Sequence, residues 1–273
     1  MLLGVPAWRT SLSPTDAHAT PAAVRTALQR YTATLMDQPI ADLDAVLRIA
    51  DAGDVPEPDG AEGVEEVVRR VRAVQPAFAI ALGGDNSVTY PVARGARATG
   101  LITFDAHFDL RDGVSNGSPV RRLVEDAPDD ERIDPARIVQ IGIADFANSA
   151  AYARRALDWG IRVITLDEVR RRGIDDVVAD AVEIAGAGPA ARVHLDIDVD
   201  VCDRSVAPGC PASVPGGLAA WELRALPRAV ASDARVVSAD VAEVDATADA
   251  EDGRTVRLAA LCVLEILAGL SAR

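Results

Sequence analysis

The sequence predicts a single α/β domain over residues 1–273, a three-layer α/β/α sandwich around a doubly wound, mainly parallel sheet of about eight strands. Apolar segments of strand length alternate along the chain with amphipathic segments of helix length, which is the order that a parallel sheet requires. Hydrophobic residues make up 49% of the chain and aromatic residues only 4%, so the core must be mainly aliphatic. A chain of 273 residues is long enough to bury one large core.

The elements of the N-terminal part follow in order. We predict strand MLLGV, helix TPAAVRTALQRY, strand AVLRIADAGDV, helix EGVEEVVRRVRAV and strand AFAIALGG. In the first helix Thr20 is the expected N-cap, and Pro21 occupies the first helical position, where its missing N–H is tolerated. Segment 51–63 is the one candidate linker, and it is too short to divide two domains.

The rest of the chain continues the alternation. Strands GLITFDAHFD and RIVQIGIADF precede helix SAAYARRALDWG, strand IRVITLD and helix DDVVADAVEIAGA. Strands RVHLDIDVD and RVVSADVAEVD are separated by the helical LAAWELRALPRAV, and the apolar TVRLAALCVLEILAGL closes the chain as a helix.

Composition excludes several classes of function. The net charge of −14 disfavours a nucleic-acid partner, which would require a basic surface. Three cysteines in a chain of this length fit a reducing compartment without a disulfide framework. No apolar run reaches the ~18 residues that span a bilayer, and the N-terminus lacks the pattern of a signal peptide. We therefore expect a cytoplasmic protein with no membrane partner.

Acidic residues concentrate where the predicted strands end. The residues at these positions are Asp85, Asp105, Asp145, Asp167, Asp196, Asp198 and Glu243. The carboxyl ends of the strands form the edge at which open α/β sheets bind ligands. Carboxylates that are crowded there repel one another unless cations neutralise them.

Two short stretches carry an acid or a histidine at every second position. In an extended chain, side chains with this spacing point to the same side. The two stretches contain Asp105, His107 and Asp109 in FDAHFD, and Asp196, Asp198 and Asp200 in HLDIDVDVCD. Oxygen ligands with one imidazole favour manganese or a similar hard divalent ion. Carboxylates shared between two metal ions would hold the ions about 4 Å apart. The two ions would lower the pKa of a water that bridges them from ~15.7 towards ~7. The pattern therefore predicts hydrolysis by attack of hydroxide on an electrophilic carbon.

Four motifs in this order resemble the signature of the ureohydrolases, the family of arginases, agmatinases, guanidinobutyrases and formimidoylglutamases. GGDNS resembles GGDHS, DAHFD matches DAHxD, DIDVDVCDRSVAPG resembles DIDxxDPxxAPG, and DVAEVD resembles DxxEvnP. The resemblance covers nearly the whole chain. It implies an arginase-like, eight-stranded α/β/α sandwich, a small guanidine substrate, and a homo-oligomer that is a trimer or a hexamer.

The resemblance also implies a set of metal ligands. Asp105 and Asp196 would bridge two manganese ions, Asp109 would bind the first ion, and His107 and Asp198 would bind the second.

The resemblance further implies which residues act on the substrate. Glu243 and Asp109 would be the catalytic residues, and Glu243 would accept two N–H bonds from the planar guanidinium group. Asp145 lies where arginases recognise the α-amino group of the substrate. Arg111 and Ser115 are the nearest candidates for contacts with the remaining amino-acid end.

Two positions depart from the family pattern. Asn86 stands where the family has a histidine ligand of the first manganese, and an amide oxygen is a poorer donor than imidazole, so we expect this ligand to be weak or lost and this ion to bind less tightly. Asn116, in SNGSP, stands where arginases have a histidine that returns a proton to the leaving amine. An amide does not titrate in the useful range, so Asn116 is expected to contact the substrate instead.

Together with the compact DLRDGVSNGSP loop, these departures resemble the Nω-hydroxy-L-arginine amidinohydrolases of D-cycloserine biosynthesis. That resemblance implies hydrolysis of hydroxyarginine to hydroxyurea and L-ornithine, because N-hydroxylation makes the guanidine less basic and more electrophilic. Two alternatives stay open. The chain could be another ureohydrolase, acting on arginine, agmatine, guanidinobutyrate or formimidoylglutamate, or a catalytically weakened homologue that serves as a partner subunit.

Overall fold

The computed structural model describes residues 1–36, 40–73 and 78–273. The strands are β1 Leu2–Val5, β2 Thr34–Leu35, β3 Ala41–Asp42, β4 Asp51–Asp54, β5 Ala79–Gly83, β6 Gly100–Phe104, β7 Ile138–Ile143, β8 Arg162–Thr165, β9 Val193–Asp198 and β10 Val236–Ala242. The α-helices are α1 Thr20–Leu28, α2 Leu43–Val46, α3 Gly60–Arg72, α4 Thr89–Gly95, α5 Pro119–Glu125, α6 Ala150–Trp159, α7 Leu166–Arg172, α8 Ile174–Ala185, α9 Ala220–Ala231 and α10 Arg254–Ser271.

Eight strands form one parallel sheet in the order β4-β1-β5-β10-β9-β6-β7-β8. This confirms the predicted fold class. The chain runs outward from β6 through β7 to β8 and then returns to β9 and β10 on the other side of β6. The connections that leave the neighbouring strands β6 and β9 therefore run in opposite directions, and the strand order reverses between them. In open α/β sheets such a reversal opens a crevice at the carboxyl ends of the strands, and the functional residues are expected in it.

Helices cover both faces of the sheet and bury aliphatic side chains against it. Helices α1 and α7–α10 contribute to the largest hydrophobic cluster. Helices α3–α6 contribute to the two clusters on the opposite face. Within the described part of the chain, no helix combines the length and the apolar character needed to cross a membrane.

The structure differs from the expected elements in local ways. AVLRIADAGDV was expected to be one strand, but only its C-terminal part is β4, because Asp42 caps a short helix α2 through a 3.1 Å bond from Asp44 N. The last two residues of IRVITLD begin α7, where Thr165 Oγ1 accepts a bond from Glu168 N at 3.2 Å. One residue of each of EGVEEVVRRVRAV and AFAIALGG lies outside the described residues.

Candidate metal centre

The candidate site lies at the carboxyl ends of the four central strands. Asn86 follows β5, Glu243 follows β10, and Asp198 is the last residue of β9. Asp105 directly follows β6, and His107 lies two residues further along the same loop. Because parallel strands end at one edge, side chains from four distant parts of the sequence share one crevice.

The first group of potential metal ligands consists of Asp105, His107 and Asp200, whose ligand atoms lie within 4.8 Å of one another. His107 Nδ1 lies 3.0 Å from Asp200 Oδ2 and 3.4 Å from Asp105 Oδ1. Two carboxylates and an imidazole are a suitable donor set for a hard divalent ion such as manganese.

A second group contains Asp105, Asp109 and Asp198, again with ligand atoms within 4.8 Å of one another. Asp105 belongs to both groups, and its Oδ2 is buried without a hydrogen-bond partner. A buried, unpaired carboxylate oxygen is costly in a protein interior unless a cation or a proton neutralises it. The donor set therefore fits two adjacent cations that share Asp105.

The crowding of these acids perturbs their protonation. Burial, and then the neighbouring Asp200 carboxylate, raise the pKa of Asp105 to about 6. Burial and nearby carboxylates also raise the pKa values of Asp109 and Asp198 well above the usual range. Divalent cations would remove this repulsion and hold all of these groups ionised.

Asp196 lies outside both groups, although it was expected to bridge the two ions. It is an internal residue of β9, two residues before Asp198, and therefore lies about 6.6 Å deeper on the same face of the sheet. The chain leaves the strand after Asp198 and forms a 3₁₀ turn, Val199–Val201, in which Asp198 accepts a 2.9 Å bond from Asp200 N. This turn brings Asp200 back to His107.

The spacing of the sequence motif also indicates Asp198 and Asp200 as the paired acids of the site. The family pattern DIDxxDPxxAPG, aligned on Ala207-Pro208-Gly209 instead of on the first aspartate, places its first two acids at Asp198 and Asp200. The extra acid at position 196 produced a false match two residues upstream.

Beneath the site, Asp196 takes part in a buried polar layer. Asp196 pairs in register with Asp240 on β10 and with Thr103 on β6. His194 is fully buried, and its ring nitrogens lie 2.8 Å from Ser238 Oγ and 2.8 Å from Asp240 Oδ2. His194 is therefore a bonded interior residue, remote from the crevice.

Asn86 lies beside the second group without offering it a lone pair. Its Nδ2 donates to Asp109 Oδ2 at 2.8 Å, and its Oδ1 accepts from Thr89 Oγ1 at 3.1 Å. An amide nitrogen carries its lone pair in the amide π system and cannot coordinate a cation, so in this arrangement Asn86 orients Asp109 and leaves one coordination position to other donors.

Replacing Asn86 with histidine is expected to tighten manganese binding by roughly 10–100-fold, because imidazole supplies the lone pair that the amide lacks. Calorimetric titration of the metal-free proteins with manganese measures this. Asn86→Ala is the matched control, since it removes the amide without adding a donor and should not raise the affinity. Equal affinities for the wild type and Asn86→His would contradict the expectation.

Glu243 lies next to the metal groups in a strained and firmly held position. Its φ is +60°, and its backbone N donates to Gly84 O at 2.8 Å. Gly84 also packs against the loop after β1, where a Cβ would lie 2.0 Å from Ala7 O. Asp109 has φ +51°, so two of the acids in the site adopt backbone conformations that residues other than glycine rarely adopt.

The carboxylate of Glu243 is oriented by two asparagines. Asn116 Nδ2 lies 3.1 Å from Oε1 and 3.0 Å from Oε2, and Asn86 N donates to Oε2 at 2.9 Å. Asn116 Oδ1 in turn accepts a 3.0 Å bond from Leu12 N. Burial, and then the charges of Asp200 and Asp85, raise the pKa of Glu243 to about 8. Asn116 thus positions Glu243.

A cavity of about 400 Å³ opens above this floor of acids. Arg111 is the only arginine among its lining residues, and its guanidinium lies 5.9 Å from the ring centre of Tyr152, which also lines the cavity. Asp145, which was expected to bind the α-amino group of the substrate, is exposed and does not line this cavity. Ser115 is buried and outside it as well.

Comparison with known proteins gives a consistent result. The family model described as the arginase family matches residues 1–269. The formimidoylglutamase of Bacillus subtilis strain 168 is 32% identical over 286 residues, which cover 98% of this chain and 86% of that protein. The guanidinopropionase of Pseudomonas aeruginosa is 34% identical over 242 residues, covering 84% of this chain and 73% of that protein.

Solved structures show the same similarity in three dimensions. The crystal structure of the Bacillus subtilis formimidoylglutamase superposes with a TM-score of 0.90 at 30% identity, covering 99% of this chain and 86% of that chain. The Trypanosoma cruzi formiminoglutamase with Mn²⁺ superposes with a TM-score of 0.88 at 26% identity, covering 100% of this chain and 93% of that chain.

Proposed function

Since the chain belongs to the arginase family and is a hydrolase of amidine C–N bonds, we propose that its substrate is N-formimidoyl-L-glutamate, which it cleaves to formamide and L-glutamate. The observation that carries this proposal is a single arginine, Arg111, in the wall of a cavity whose floor is acidic. The similarity to formimidoylglutamases supports the same substrate.

We assign the metal ligands as two overlapping sets. Asp105, His107 and Asp200 would hold one manganese ion, and Asp105, Asp109 and Asp198 would hold the other. The manganese named in the Trypanosoma cruzi relative supports the choice of metal. When bound, such a pair of cations lowers the pKa of a water in the site from about 15.7 towards about 7.

The two ends of the substrate match the two ends of the cavity. Glu243 can accept N–H bonds from the planar amidine, and the asparagine bonds that hold its carboxylate fix the plane in which it does so. Arg111 can pair with a carboxylate of the glutamate part, which is a planar, bidentate interaction that guanidinium groups favour.

Among the described residues that line the cavity, no carboxylate is left over for a free α-amino group. Asp145 lies outside the lining, and the acids of the lining are the metal-ligand candidates and Glu243. Arginine, hydroxyarginine and agmatine each carry a free amino group. Formimidoylglutamate carries none, because its α-nitrogen is part of the amidine. The charges of the cavity therefore favour formimidoylglutamate.

The reacting carbon of a formimidoyl group also suits this site. That carbon bears two nitrogens, whereas a guanidine carbon bears three, so it is less stabilised by resonance and more open to attack by water. Asn86 supplies no metal ligand to the second group, since its Nδ2 donates to Asp109. Asn116 cannot return a proton to the leaving amine, because an amide does not titrate in the useful range. A more electrophilic amidine tolerates both features better than arginine does.

Hydroxyarginine remains the second candidate, because it shares this greater electrophilicity with the formimidoyl group. The position of Asn116 supports it to the same degree, since neither substrate would then depend on a titrating side chain at that position. The two candidates differ at the far end, where hydroxyarginine has an ammonium group as well as a carboxylate.

Initial rates of the manganese-loaded protein on formimidoylglutamate, hydroxyarginine, arginine and agmatine test the assignment. We expect formimidoylglutamate to have the highest kcat/KM. Arg111→Gln should raise its KM by at least about tenfold with a smaller change in kcat, because the lost contact is with the unreactive end. The exposed Arg171→Gln is the matched control and should leave KM unchanged.

The results separate the hypotheses. A higher kcat/KM for hydroxyarginine would overturn the formimidoylglutamate proposal in favour of the second candidate. If none of these compounds gave a product with metal bound, the hypothesis of a catalytically weakened homologue that serves as a partner subunit would be favoured. Formimidoylglutamate turnover with an unchanged KM in Arg111→Gln would remove Arg111 from the site.

A further inference from the structure

A second cavity, of about 450 Å³, lies behind the candidate metal centre. Its wall includes Ser87 and Val88, which directly follow Asn86, but none of the acids grouped around the metal site. Its volume falls in the range of small-molecule sites, about 300–1,000 Å³. Nothing in the chemistry proposed for the metal centre uses this space.

Most of this cavity is apolar. The side chains that give it this character are Val5, Val64, Val88, Tyr90, Pro91 and Val114. The charged residues of the lining are Asp59, Glu65, Arg94 and Arg122. An apolar wall with a few convergent polar groups is the usual composition of a pocket for a small organic molecule.

The charged lining residue that lacks a hydrogen-bond partner is Arg122, on α5. It is only 9% exposed, and its guanidinium lies 3.8 Å from the ring centre of Tyr90. Its Nε is buried without a hydrogen-bond partner, and its side chain forms no hydrogen bond to any residue in the described ranges. Burial lowers the pKa of Arg122, which is the sign of a cation that has lost water without gaining an equivalent partner.

The neighbouring charges do not compensate Arg122. Its nearest carboxylate oxygen, Asp126 Oδ2, is 3.8 Å from Nε, and both oxygens of Asp126 accept 2.8 Å bonds from Arg121. Arg94, the other arginine of the cavity, pairs with Glu131 and with Glu65, which is one of the two acids of the lining. The other acid, Asp59, accepts hydrogen bonds from Trp8 N and Arg9 N through its Oδ1. Arg122 is thus the lining arginine with neither a hydrogen bond nor a carboxylate of its own.

One further group of the wall can bind an anion. Thr10 Oγ1 lines the cavity and is buried without a hydrogen-bond partner among the described residues.

We propose that this cavity binds a small apolar monocarboxylate, whose carboxylate pairs with Arg122 and whose hydrocarbon part lies against the apolar wall. A bidentate carboxylate satisfies the guanidinium N–H groups that the protein leaves unpaired. The hydrocarbon part distinguishes this ligand from inorganic anions, which the apolar wall does not favour.

Ligand-observed NMR titration of the manganese-loaded protein with benzoate tests the proposal. We expect saturable binding that weakens by at least about tenfold in Arg122→Gln. Ala61→Trp, which fills the cavity and keeps Arg122, should also abolish binding. Arg111→Gln is the matched control, because it removes the arginine of the other cavity and should leave benzoate binding intact. Benzyl alcohol, the uncharged analogue, should not bind.

Three results would overturn the proposal. They are the absence of saturable benzoate binding, equal binding in the wild type and Arg122→Gln, and loss of binding in Arg111→Gln with retention in Arg122→Gln, which would place benzoate in the metal-centre cavity. Displacement of benzoate by equimolar inorganic phosphate would overturn the apolar part of the assignment. The melting temperature of Arg122→Gln is measured in parallel to verify that the variant is folded, since it also loses the contact with the Tyr90 ring.

Discussion

Asp200→Asn is expected to lower kcat/KM by more than roughly 100-fold and to reduce the manganese bound per chain. Mutating a residue that only supports a metal ligand typically lowers metal affinity or activity by about 10–100-fold. Asp200 belongs to the potential ligands themselves, and its Oδ2 lies 3.0 Å from His107 Nδ1. Asparagine keeps the shape of the side chain but removes its charge. Steady-state kinetics and metal analysis of the purified variant measure both effects.

The matched variant is Asp196→Asn, the same substitution four residues upstream. Asp196 is buried among uncompensated acids, and burial together with the charge of Asp240 raises its pKa well above the usual range. Removing its charge should leave the manganese content unchanged, lower kcat/KM by less than about tenfold, and leave the melting temperature equal or higher. The reverse order of effects, with Asp196→Asn losing metal and Asp200→Asn retaining it, would restore the ligand set expected from the sequence.

Glu243→Gln is expected to lower kcat/KM by roughly 30- to 5,000-fold while the metal content stays unchanged. Truncating one partner of a buried, hydrogen-bonded charge pair costs about 2–5 kcal/mol, and the amidinium of the substrate is the partner proposed here. Glutamine has the same shape, so the backbone at φ +60° need not move. With its amide oxygen at the Oε2 position it still accepts from Asn86 N and Asn116 Nδ2, and it loses only the second contact with Asn116. The loss would therefore report on charge and not on folding.

Two controls make this result interpretable. Glu251→Gln changes an exposed glutamate in a turn and should behave as the wild type. Circular dichroism and metal analysis of Glu243→Gln should match the wild type. Unaltered kinetics in Glu243→Gln would exclude Glu243 from substrate binding, whereas loss of metal would assign it to the ligand set.

The fold could be predicted because its signals are local. Buried parallel strands require runs of apolar residues, and amphipathic helices require a period of about 3.6 residues, so both are visible in short windows of sequence. The departures from the prediction have local causes as well. At Asp42 and at Thr165 a side chain caps a helix that the apolar pattern alone had assigned to a strand.

The site was only partly predictable, for a different reason. The sequence indicated the right sheet edge, and it brought Asp105, His107, Asp109, Asp198, Asn86, Asn116 and Glu243 into consideration. It could not distinguish three aspartates spaced two residues apart, because alternation assigns all of them to one face. Which of them lies beside His107 depends on where β9 ends and the 3₁₀ turn begins.

The sequence by itself determined the α/β architecture, the sheet edge that carries the chemistry, and the acidic character of the site. The tertiary structure decided that Asp200 and not Asp196 faces His107, that Asn86 and Asn116 orient acids, and that Arg122 lies unpaired in a second cavity. The physical reason is the range of the interactions. Backbone periodicity is set by neighbours in the chain, whereas coordination and charge compensation depend on groups that only folding brings within a few ångströms.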